Sequence, residues 1–206
     1  MKKWLLMGLF GFGVVANAEP ASTFHYNYVE GQYVAMGNDN LDLNPAKRSD
    51  KANVDGLRIL GSIDIAQGFG IVGSIMDTGG NDYDLTVIAV GADYHQPLPA
   101  IHGMPLDLIV KAEIEHVRSK FDVPPVFWWV DDHFNDTGIV FTGGAQMQVI
   151  EHLQVFSNLA IGSNDRYRTK SLNVGARYEF VPSLEASAAL EVGDMTQFST
   201  GIRYSF

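Results

Sequence analysis

With 24 acidic against 14 basic residues, a formal net charge of −10 and no cysteine in 206 residues, the chain excludes a disulfide framework and any thiolate chemistry. The acidic balance argues against a nucleic-acid partner, which would favour a basic surface. Without cysteine there is no lipid anchor on such a residue either, so any hold on a membrane must come from the fold itself.

Met1-Lys2-Lys3, an apolar run from Trp4 to Val15 and the sequence Ala16-Asn17-Ala18 have the form of a secretory signal peptide, with cleavage expected after Ala18. The run is shorter than the about 17 to 25 residues a spanning helix needs. Losing Lys2 and Lys3 leaves 12 basic against 24 acidic residues, a net of −12 for residues 19–206, which are expected to form one domain. Thr23 to Met36 predicts a first strand, with Val29, Gly31, Tyr33 and Ala35 on one face and Glu30 and Gln32 on the other. A polar loop follows from Gly37 to Ala52. Asn53 to Ala66 alternates again and leads through a tight turn at Gln67-Gly68 into Phe69 to Asp77. After a turn containing Gly79-Gly80, Tyr83 to Tyr94 predicts a fourth strand whose D-L-T-V-I-A-V start is apolar on both faces and leaves its register open. His95 to Met104, with Pro97 and Pro99, reads as a connection and not as a central strand.

Pro105 to Arg118 gives the clearest internal alternation, Leu106, Leu108, Val110, Ala112 and Ile114 against Asp107, Lys111, Glu113 and Glu115. Ser119 to Asp136 is a second long loop. Strands are then expected at Thr137 to Val149, Leu153 to Gly162, Ser171 to Val181 and Leu184 to Val192, with turns at Ile150 to His152 and Pro182-Ser183. Gln197 to Phe206 closes the chain with Phe198, Thr200, Ile202, Tyr204 and Phe206 on one face. Ten strands result; merging two weak hairpins would give eight.

Nothing after the signal peptide is long and apolar enough for a spanning helix, so the spanning architecture left open is a closed barrel. A soluble barrel alternates too. Here the polar face is built of Gly, Ser, Asn, Gln and opposite charges with few lysines, which suits a cramped interior, and aromatics gather near strand ends at Phe24, Tyr26, Tyr94, Tyr178, Phe180, Tyr204 and Phe206, as an interfacial girdle would. Phe198, Ile202, Tyr204 and the terminal Phe206 resemble the assembly signal of bacterial outer-membrane β-barrel proteins. The whole chain resembles that family in its small members, porin-like or similar to the OmpA barrel. The resemblance implies an all-β fold, a closed antiparallel up-and-down transmembrane barrel in the cell outer membrane of a Gram-negative envelope. It also implies contact with outer-membrane lipid and lipopolysaccharide, and recognition by the barrel assembly machinery.

Two groups of residues are candidates for function. With the apolar face outward, Arg58, Asp64, Lys111, Glu113, Glu115, Arg177, Glu179, Glu185, Glu191 and Arg203, together with Glu30 and Asp107, point into the barrel. There they form either a paired structural network or the lining of a narrow cation-favouring channel. In the second long loop, Trp128, Trp129, Asp131, Asp132 and His133 offer an aromatic and acidic surface for an extracellular ligand. The expected role is structural, interactive or narrowly porin-like, with no cofactor, catalytic residue or metal site; the rival is an outer-membrane enzyme acting on lipid or peptide through loop acids. His95 and His102 share one connection without the close spacing of metal ligands.

Overall fold

The computed structural model describes residues 24–37, 54–80, 83–121, 133–163 and 170–206. Ten antiparallel strands, β1 (Tyr28–Gly37), β2 (Val54–Ala66), β3 (Phe69–Gly79), β4 (Tyr83–Ile101), β5 (Met104–Phe121), β6 (His133–Ile150), β7 (Leu153–Gly162), β8 (Lys170–Val181), β9 (Leu184–Gly193) and β10 (Thr196–Ser205), form a closed barrel. Each strand pairs with its neighbours in sequence, and β1 pairs with β10 from Tyr28↔Ser205 to Gly37↔Thr196. The count is ten, not eight.

Alternation sets the faces. Along β2, Leu57, Ile59, Ile63 and Ile65 stand 55–65% exposed while Ser62 between them is buried. Among the described residues, 31 large apolar side chains are 40–65% exposed around the barrel. At roughly half of each side chain, that is on the order of 2,000 Å² of apolar surface, several times the largest patch of a typical soluble monomer. Leaving it in water would cost on the order of 50 kcal/mol at ~25 cal/mol per Å². The outer face is therefore a lipid-facing face. On β5 the outward apolar residues run from Leu106 to Ile114, a rise of about 26 Å along the strand, which matches a band about 25 Å tall once tilt and side-chain reach are included.

Tight turns at Gln67-Gly68, His102-Gly103, Glu151-His152 and Pro182-Ser183 lie at one rim, with the two ends of the described chain. The other five connections, four of them longer and one the two-residue Asp194-Met195, join the strands at the other, loop rim. His102 and Gly103 both have positive φ, 53° and 82°, the backbone a two-residue hairpin with right-handed strand twist requires. At the other three turns one residue alone has positive φ, Gly68, His152 or Ser183, and the strands flanking all four turns shift register beside them.

The stretch His95 to Met104 departs from expectation, because β4 continues to Ile101 with Pro97 opposite Asp107. Its prolines are tolerated because of where they fall. The His95 amide donates across to Gly68 in the turn before β3, so the nitrogen of Pro97, two residues on, faces the same side, where β3 has already ended at Phe69↔Tyr94. Pro99 falls in the register shift between Leu98 and Ile101, outside the ladder. Neither missing N–H falls at a paired position. The start of β4 also takes one register: Leu85, Val87 and Ala89 are buried inside, while Ile88 and Val90 face out.

Candidate functional site: the barrel lumen

The lumen is filled in three zones. At the turn rim, residues 24–27 do not extend β1 as a strand from Thr23; they bend into the barrel. Phe24 and Tyr26 are 6% and 7% exposed and pack with Ile109 of β5. Tyr26 stacks on the His95 ring of β4 at 3.4 Å and 6° and donates its hydroxyl to Asp107 Oδ2 of β5 at 2.7 Å. Gln146 of β6 donates to the same hydroxyl at 2.7 Å. Asn27 clips the strap to the wall, accepting the Asp64 amide on its side chain at 2.7 Å and the Phe206 amide on its carbonyl at 3.0 Å. Phe24 and Tyr26, expected in an outer aromatic girdle, thus lie inside. Tyr178, Phe180, Tyr204 and Phe206 do stand outside near this rim, 48–63% exposed, and Tyr94 of β4 packs against the exposed Phe69 at 4.6 Å.

Above the strap lies an ionic layer. Arg203 of β10 donates to Glu30 of β1 through Nη2 at 2.8 Å and Nε at 2.9 Å, with Glu185 of β9 at 3.9 Å. Glu30, 1% exposed, also accepts from Ser187 at 2.6 Å and Gln32 at 2.8 Å. The Arg203 guanidinium lies 3.6 Å over the Tyr28 ring, a further contact available to a desolvated cation. Arg177 of β8 donates to Gln146 at 3.2 Å and lies 4.3 Å over Phe156, which ties this layer to the Tyr26 strap. Gln154 donates to Glu185 at 3.1 Å. Buried charges are tolerable when paired in this way, although Arg177 Nε and Glu185 Oε2 take no hydrogen bond among the described residues.

Higher still is a cavity of about 160 Å³, with room for several waters. Arg58, Lys111, Glu113, Glu115 and Glu191 line it with Asn158, Asn173 and Thr142, two cations against three carboxylates. Arg58 reaches Gln197 Oε1 at 3.2 Å and Met76 Sδ at 3.3 Å. Toward the loop rim, the β1–β5 side of the lumen is packed by Val34, Met36, Val54, Met76, Leu85, Val87 and Val117, with Met195 against them.

The ten inward charges named from sequence alternation therefore fall into distinct groups. Arg177, Glu185 and Arg203 belong to the ionic layer, and Arg58, Lys111, Glu113, Glu115 and Glu191 to the cavity. Asp64 and Glu179 sit at the turn rim, Asp64 at 3.8 Å from His95. Glu179 accepts from His152 Nδ1 at 3.0 Å and from the Ser183 amide at 3.2 Å. The hydrogen bond to Glu179, with Glu151 nearby, raises the pKa of the exposed His152. Among the loop residues, Trp128, Trp129, Asp131 and Asp132 lie outside the described residues, as does the signal segment, and His133 begins β6. Phe198, Ile202, Tyr204 and Phe206 lie on the outer face of the terminal strand region. His95 lies within β4 inside the lumen, whereas His102 forms the turn.

Tyr26, His95 and Gln146 were not among the residues expected in the lumen. A signal for the first existed: Phe24, Tyr26 and Tyr28 share the phase of Glu30, so period two alone would have turned them inward.

No protein-family model matches the chain, and no curated protein matches it in sequence. Solved structures share its fold. The translocator domain of the autotransporter NalP from Neisseria meningitidis matches with a TM-score of 0.50 at 8% identity, over 87% of this chain and 88% of that one. The KdgM porin in complex with disordered oligogalacturonate matches at 0.46 and 15%, over 87% and 99%. The N-terminal β-barrel domain of Pseudomonas aeruginosa OprF matches at 0.41 and 14%, over 89% and 100%. The likeness is one of fold, to β-barrel proteins of the outer-membrane type.

Proposed function

We propose that this chain is an outer-membrane β-barrel of a Gram-negative cell with a structural or interaction role, its tight turns toward the periplasm and its longer connections toward the exterior. The observation that carries this is the combination of a lipid-facing belt with a lumen occupied by its own side chains. Tyr26 spans from the β1 side to His95, Asp107 and Gln146, where a solute would have to pass. The partners that follow are outer-leaflet lipid and lipopolysaccharide, the barrel assembly machinery reading the terminal strand, and an extracellular ligand at the loops. Catalysis by Asp131 and Asp132 is the rival from another class, and it stands on residues outside those described.

A narrow channel is the second reading, favoured by the charged cavity above the ionic layer. Planar-bilayer conductance of the refolded barrel separates the two. The folded wild type is expected to be silent, and Tyr26→Ala to open small discrete steps. Steps from the wild type whose cation preference falls in Glu113→Gln would replace the structural reading with the channel.

A further inference from the structure

On the outer face of β5 the apolar belt ends at Ile114, and the next outward residues are His116, Arg118 and Lys120, all exposed. His116 Nδ1 is held at 2.8 Å by Thr137 Oγ1. Arg118 and Lys120 take no hydrogen bond or ion pair from the described residues. They stand two residues apart on one face, about 7 Å, and like charges at that spacing repel unless an anion lies between them. Among the described residues only Asp84 stands opposite this pair, across from Lys120. The next carboxylate along, Asp77, accepts the Thr86 hydroxyl at 2.7 Å. Arg118 itself is flanked by Thr86 and Asn135.

Directly below, Ile88, Ile114, Ile139 and Phe141 form an apolar wall, each 48–56% exposed. A wall that takes hydrocarbon, topped by two neighbouring exposed cations at headgroup height, is complementary to one kind of molecule. On the footing that the barrel spans a membrane, we propose that Arg118 and Lys120 form a binding site for the phosphate of a phosphorylated lipid in the loop-side leaflet. Its acyl chains lie on the β4–β6 wall. The guanidinium fork of Arg118 matches two phosphate oxygens, and Lys120 adds a point charge.

The test is lipid binding to the refolded chain, its fold checked by heat-modifiable migration. Binding of phosphatidic acid and of phosphatidylcholine with the same acyl chains is compared. Phosphatidic acid is expected to bind about tenfold tighter, as one charge-assisted contact would give. Arg118→Gln with Lys120→Gln should abolish that preference, whereas Arg118→Lys should retain part of it. Equal binding of both lipids, or an unchanged preference in the double variant, overturns the site. Competition by inorganic phosphate at equal concentration also overturns it, since a bare anion site owes nothing to the wall. Failure of the folded chain to insert into phosphatidylcholine vesicles would instead overturn the membrane reading on which the site stands.

Discussion

The two halves of the barrel interior are stabilised by different physics. The turn-side half is polar and networked: Glu30, Arg203, Gln146 and Tyr26 each have several partners, most of them on other strands. The loop-side half along β1–β5 is an apolar pack in which Val34 and Leu85, both 0% exposed, make no directional demand. A network fails as a unit, whereas a pack loses stability in proportion to the volume removed.

The sharpest way to break that contrast is a double-mutant cycle at the ionic layer. Arg203→Met leaves Glu30 buried without its cation and should cost about 3–5 kcal/mol in reversible urea unfolding from vesicles. Adding Glu30→Leu should restore most of the loss, because removing both charges removes the desolvation cost as well. A purely additive cycle would show that the layer is no network. In the apolar half, Leu85→Ala should cost about 3 kcal/mol by the same measurement, with no second substitution able to rescue it by charge. The smallest expected effect lies outside both halves, at the turn rim. The folded-state pKa of His152 is raised by Glu179, so this contact stabilises the fold below the imidazole's ordinary value near 6.5 and is lost as pH rises through the higher folded value. Unfolding midpoints measured from pH 5.5 to 8 should fall slightly over that window. His152→Gln should flatten the slope.

Period-two alternation carried the barrel and its ten strands, because a strand has only two faces and lipid accepts only one kind of side chain. Two things were illegible for identifiable reasons. The prolines of β4 argued against a strand because sequence does not show that β3 ends beside them. Tyr26 was set with the outer aromatics because its composition suits a girdle, although its phase with Glu30 pointed inward. Which charge meets which was also hidden: Glu30 and Arg203 are 173 residues apart, and alternation fixes a face but not a partner. The acidic loop around Trp128 and Asp132 has no period at all, and sequence offers only composition there.

The seam where β1 meets β10 has a kinetic consequence. Every other strand pair joins neighbours in sequence, but this one waits until both ends of the chain are in place. Contacts between such distant residues form slowly, since the entropy of closing so large a loop must be overcome before any pairing offsets it. Until the Phe206 amide reaches the Asn27 carbonyl, the nascent sheet presents two open edges, each a template for a stray strand. Closure is thus the step at which this chain either completes its own sheet or joins another's.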